Sequence, residues 1–144
     1  MLRKILKNVR RPLIDFENLQ KSRKPNTYLM APKELCPISP AVESPVFDVN
    51  ARDLATFFET VAKSMLNTEK LSEVQVEGNR QMDFVQYSKV IGFPDTITVR
   101  FMEVSESKST LAIYSRSHYG YRDFGVNRKR VQAWMRQLQE TVAR

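Results

Sequence analysis

The sequence predicts an α+β fold: a mostly antiparallel three- to four-stranded sheet packed by two helices, with an extended Pro-rich N-terminal strap. Three observations carry that prediction. Residues 51–66 and a segment beginning near Asn127 place apolar side chains at helical spacing. Between them, three segments alternate at strand spacing and are joined by short runs of turn formers. Five of the seven prolines fall within residues 25–49, a density that is expected to forbid regular structure there. The 144 residues suit one domain, large enough to bury roughly 70% of the surface its unfolded chain exposes.

Taken in order, Leu2, Ile5, Leu6 and Val9 lie on one face of a short amphipathic helix with Arg3, Lys4 and Lys7 opposite, and Pro12 breaks it. Residues 1–24 form a basic arm and residues 25–144 a single α+β domain. The strap brings Tyr28, Leu29, Met30, Leu35, Val46 and Phe47 to dock on the domain surface, and its Cys36 reads as a small buried thiol. Asn50 caps the first helix, with Asp53 three residues on and a broad aromatic stripe of Leu54, Phe57, Phe58, Val61 and Met65 suited to lie across a sheet. Residues 67–73 read as a polar connection, with a short extra strand over Glu73–Val76. The main strands are Met82–Val90, Thr96–Val104 and Ser109–Ser117, turning at Gly92–Asp95 and Ser105–Lys108. Asn127 is the expected cap of the last helix, which buries Val131, Trp134, Met135, Leu138 and Val142. Arg128 falls about 60° from Val131, on the shoulder of that stripe, so it is expected to be partly buried and partnered.

The net charge of +7 is unevenly spread: +6 over residues 1–24, −4 over 25–115 and +5 over 116–144. Since the body is nearly neutral, nucleic acid is a poor fit, and no recognised nucleic-acid motif appears. No apolar run approaches the roughly 18 residues that span a bilayer, and the basic start is not followed by the apolar core of a secretory signal. A cytoplasmic location follows as the expectation, with membrane association through residues 1–24 as the alternative. One cysteine and one histidine leave neither a disulfide framework nor an ordinary zinc site, and no cofactor is expected.

Chemistry concentrates in the last strand and the segment after it. With Phe101 opposite Ile113, the residues Ile97, Val99, Phe101, Leu111 and Ile113 share the core face, while Thr98, Arg100, Met102, Tyr114 and Arg116 share the other. Two arginines on one sheet face are rare unless paired. They recognise either a carboxylate or phosphate ligand, or Asp95, Asp123 or Glu103 as internal partners, and internal pairing is the commoner use. Tyr114–Arg130 also holds two of the four glycines, Gly120 and Gly125, with Asp123 between them to cap the helix or hold Arg128. The candidate ligand-binding residues are therefore Arg100, Arg116, Asp123 and Arg128. The Gly-x-x-x-x-Gly spacing lacks the Lys-Ser/Thr of a phosphate-binding loop. A triad from Ser115 or Ser117, His118 and Asp123 fails because strand neighbours diverge and no nucleophile elbow is present.

The stretches Gln81–Ser88, Phe93–Arg100 and Tyr114–Arg130, the last ending Asp-Phe-Gly-Val-Asn-Arg-Lys-Arg, resemble the family catalogued as domain of unknown function 1499 over roughly residues 26–142. The resemblance implies no particular activity, and it implies relatives that are often exported or membrane-tethered. His118 and Tyr114 stand where many relatives carry arginine. The expected function is a non-catalytic binding or interaction domain for an anionic small molecule or an acidic partner surface. A peripheral membrane or assembly subunit tethered by residues 1–24, and an enzyme working through Tyr114–Arg130, are the two alternatives.

Overall fold

The structure, a computed structural model, describes residues 9–144; the expected N-terminal helix falls on residues outside those described. A 3-10 turn at Phe16–Asn18 precedes strands β1 (Thr27–Ala31) and β2 (Val42–Glu43). Helix α1 (Ala51–Ser64) leads into β3 (Thr68–Val76), β4 (Asn79–Tyr87), β5 (Pro94–Ser105) and β6 (Lys108–Ser117), and helix α2 (Val126–Ala143) closes the chain. The strands form one sheet in the order β2-β1-β6-β5-β4-β3, antiparallel except for the β1–β2 pair.

The α+β class and the two helices stand, but the sheet is a mixed one of six strands rather than three or four. The strap contributes two of them. Its prolines flank Thr27–Ala31 rather than interrupt it, so every β1 residue keeps its N–H, and Thr27–Met30 pairs with Arg116–Ile113. At the other edge β3 begins at Thr68, not Glu73. Its side chains are mostly polar because it is an outer strand, tied to α1 by Lys70 Nζ at 2.7 Å from Glu59. The β3–β4 hairpin turns at Glu77 and Gly78, both at positive φ, as two-residue hairpins require.

Register between β5 and β6 sets Phe101 against Leu111 and Val99 against Ile113, two residues from the expected pairing. An even shift preserves the alternation of faces, so both predicted faces form. On one lie α1 and α2, enclosing Leu54, Phe58, Phe84, Phe101, Trp134 and Leu138. Phe58 is the centre of an edge-on aromatic group, 5.5 Å from Phe101 and 5.9 Å from Trp134 between ring centroids. On the opposite face, residues from the 14–19 segment and the strap cover the sheet: Phe16, Leu19, Leu29, Cys36, Ala112 and Tyr114 form a second, smaller core. Cys36 is buried, and burial raises its thiol pKa, which disfavours the thiolate form.

Candidate functional site

Asn50 caps α1 as expected, its side-chain oxygen 2.8 Å from the Asp53 N–H. For α2 the cap is different. Gly125, at φ +80°, takes the cap position, and the carboxylate of Asp123 accepts from the Gly125 N–H at 3.0 Å and the Asn127 N–H at 3.2 Å. Burial pushes the Asp123 carboxyl up, but the Asn127 side chain and these N–H groups outweigh it and hold its pKa below the ordinary value. Asp123 is thereby committed to the helix start.

Asn127, expected as the cap, instead enters the first turn and is fully buried. Its side-chain nitrogen lies within 3.0 Å of Asn26 O, Ser117 Oγ and Asp123 Oδ2, while its oxygen accepts from Ser115 Oγ at 2.6 Å and Arg130 Nη1 at 2.7 Å. One side chain thus ties the strap, β6 and α2 together. Arg130 extends the network to Gln86 Oε1 at 2.5 Å and to Asp95 at 2.7 Å. Burial raises the Asp95 pKa although Arg130 pulls it down. Glycine and charge spacing pointed to this segment; Asn127 as its hub gave no signal distinct from an ordinary cap.

On the second sheet face Arg100 and Arg116 are both buried, but they serve different ends. Arg100 is 1% exposed. It donates to Gln81 Oε1 at 2.9 Å, pairs with Glu17 and lies 5.2 Å from the Phe16 ring centroid. Internal pairing is realised here, though with a carboxylate from the 3-10 turn rather than Asp95, Asp123 or Glu103. Arg116 has no carboxylate within 4 Å among the described residues. Its Nη1 donates to Thr98 Oγ1 at 3.1 Å and Tyr114 O at 3.4 Å, and its guanidinium lies 5.4 Å from the Tyr114 ring centroid. Its Nη2 is buried with no hydrogen-bond partner among the described residues. Thr98 in turn donates to Asp83, which links Arg116 to a carboxylate through one hydroxyl.

His118 stands on this face too. Thr96 Oγ1 accepts from Arg11 Nε at 2.8 Å and lies 2.5 Å from His118 Nε2, so its one hydrogen is free to point at the ring nitrogen. A neutral imidazole protonated on Nδ1 fits that arrangement. Burial, then Arg116, then Arg11 push its pKa down to about 4. Ser115 and Ser117 bond Asn127 on the other side of the sheet, so serine, histidine and Asp123 do not assemble.

Arg128 is exposed, not partly buried. The buried stripe centres between Asn127 and Met135, leaving Arg128 and Arg130 on opposite shoulders at similar angles, which periodicity cannot tell apart. The sheet decides. Arg130 faces Asp95 and Gln86, and Arg128 is left to solvent. The four candidate residues therefore do not converge: Arg100 and Arg116 share a face, Asp123 caps α2, and Arg128 lies outside.

Next to Tyr114 a groove of about 470 Å³ opens between the 21–25 segment, β1 and the strap. Its charged lining is Lys21, Arg23 and Lys24, with no Asp or Glu, and Leu29, Ile38, Tyr114 and Tyr121 supply apolar and aromatic surface. Sequence reasoning missed it because the three cations read as part of a basic arm, with nothing to place them beside Tyr114.

Among the described residues no helix is long and apolar enough to cross a membrane, and no group of three His, Cys, Asp or Glu side chains is placed to hold a metal ion. No curated protein and no solved structure matches the chain. The family model described as "Protein of unknown function (DUF1499)" matches residues 20–138, a span that takes in the groove, both buried arginines and the whole Asn127 network. The chain belongs to that family.

Proposed function

We propose that this is a non-catalytic binding domain that takes a small amphiphilic anion into the groove beside Tyr114. The observation that carries the reading is the groove's lining: three cations, no carboxylate, and tyrosine and aliphatic side chains beneath them. Cations gathered over low-dielectric surface raise the local concentration of anions, and the aromatic floor selects those with an apolar body. Arg116, outside the groove lining, adds a fourth positive charge 5.4 Å from the Tyr114 ring centroid. Binding rather than catalysis fits because the titratable groups nearest the segment have structural tasks. Asp123 caps, Asp95 pairs, and His118 is held neutral.

The test is a calorimetric titration with 1-naphthyl phosphate, which offers a ring for the tyrosines and a phosphate for the cations, against neutral 1-naphthol. The phosphate is expected to bind more tightly, and the triple substitution Lys21→Gln, Arg23→Gln and Lys24→Gln to weaken it at least about tenfold, from roughly 0.5–1 kcal/mol per exposed cation. Equal affinity for the two probes, or no change in the triple variant, refutes the reading.

A further inference from the structure

Thirteen large apolar side chains are left exposed among the described residues, and eight of them gather at one end of the sheet. They come from the β4–β5 turn, the β6–α2 loop, the first residue of α2 and the α1–β3 corner. Val90 is 95% exposed, Phe124 84% and Leu66 73%. The two loops are joined by Phe93 and Tyr119, whose rings stack with centroids 5.3 Å apart.

Both apices are built rather than slack. In the β4–β5 turn Ser88 Oγ accepts from the N–H groups of Gly92 and Phe93 at 3.0 and 2.9 Å, and the Ser88 N–H donates to Phe93 O, which leaves Val90 and Ile91 at the tip. In the β6–α2 loop Phe124 adopts φ +52°, a conformation unfavourable for a bulky residue, held between the Asp123 cap and Gly125. The 84% exposed ring of Phe124 leaves this strained backbone without an explanation in the packing of the domain.

On the β4–β5 turn, the β6–α2 loop and the first turn of α2 the exposed charge has one sign, whereas Glu69, near Leu66, is exposed with the other. Lys89 adjoins Val90, Arg122 precedes the cap, and Arg128 and Lys129 lie on the first turn of α2, all exposed. The carboxylates nearby, Asp123 and Asp95, are taken up by the helix cap and by Arg130.

We propose that this end of the domain docks on an anionic lipid surface, with Val90, Ile91 and Phe124 entering the headgroup–acyl boundary and Lys89, Arg122, Arg128 and Lys129 meeting lipid phosphates. Val90, Ile91 and Phe124 are apolar throughout and suit the acyl boundary, the Tyr119 ring suits the interface, and cations suit the phosphate plane. An acidic protein surface would satisfy the cations but would leave Val90 and Phe124 without a use.

The experiment is co-sedimentation of the full chain with vesicles of phosphatidylcholine alone, and with about 30% phosphatidylserine, a composition in which each nearby cation contributes appreciably. The chain is expected to sediment with the phosphatidylserine vesicles, to be released as salt shortens the Debye length, and to remain in solution with phosphatidylcholine alone. The variant Val90→Ser, Ile91→Ser, Phe124→Ser should bind at least about tenfold more weakly, since three apolar side chains no longer leave water. Lys89→Glu with Arg122→Glu is a second, independent variant with the same expected direction. All these positions are exposed, and unchanged circular dichroism confirms folding. Absence of binding to anionic vesicles overturns the proposal, as does undiminished binding by either variant, which shows that the tips or the cations do not meet the lipid. Capture on a polyglutamate matrix without vesicle binding overturns it in favour of an acidic protein partner.

Discussion

Lowering the pH should destabilise this domain through His118, and the effect can be worked from its surroundings. The imidazole bonds Thr96, and burial first, then Arg116 and Arg11, give it a folded-state pKa of about 4 against 6.5 for the unperturbed ring. Because the folded pKa is the lower, the unfolded chain takes up a proton first as pH falls. The stability His118 contributes is therefore complete above pH 6.5 and is lost progressively between 6.5 and about 4. At about 1.4 kcal/mol per pH unit the full difference is roughly 3.4 kcal/mol, and because the ring is only partly buried, solvent screening leaves about 2 kcal/mol. Urea unfolding of the native chain and of His118→Gln at pH 7.5, 6.5, 5.5 and 4.5 isolates the contribution, since every carboxylate is common to both. The native chain should lose about 2 kcal/mol more than the variant over that range. Parallel stability curves would refute a histidine held neutral by burial and, after it, by its arginine neighbours.

Three further outcomes follow from the packing. Asn127→Ala should cost about 3 kcal/mol in urea unfolding, because Ser115 and Arg130 lose a buried acceptor and Asp123 a donor; a cost under about 1 kcal/mol would mean the network is not the tie between strap, strand and helix. Gly125→Ala meets no neighbouring atom within 4 Å, so only its positive φ counts, and a loss of about 1 kcal/mol in thermal unfolding is expected; no loss would contradict the left-handed cap. Glu17→Gln removes the carboxylate of buried Arg100 and should cost about 1–2 kcal/mol, tempered by the exposure of Glu17, and an unchanged urea midpoint would show the pair to be idle.

The helices, the three central strands and both sheet faces were legible because each follows from local periodicity, and an error of two in register leaves alternation intact. The strap strands were not. Five residues between Pro25 and Pro32 carry no period of their own and become β1 only because β6 offers an unpaired edge. Strand β3 was cut short for the complementary reason: an edge strand facing water lacks the apolar alternation that marks a strand in sequence. Within the candidate site, the shared face of Arg100 and Arg116 followed from strand parity, whereas their burial and the partner of Arg100 did not, because the segment that covers them, with Glu17, lies 83 positions before Arg100. Arg128 and Arg130 differ only in which shoulder of α2 meets Asp95, and that is a fact of tertiary packing. The groove has the same origin, since Lys21, Arg23 and Lys24 acquire a common target only once the strap has crossed the sheet.

Location of the ligand itself bears most directly on the binding account. In a crystal structure of the protein soaked with 1-naphthyl phosphate, the ring should lie against Tyr114 with the phosphate within hydrogen-bonding distance of at least one of Lys21, Arg23 and Lys24. A naphthyl phosphate bound elsewhere, with the groove beside Tyr114 unoccupied, would contradict it.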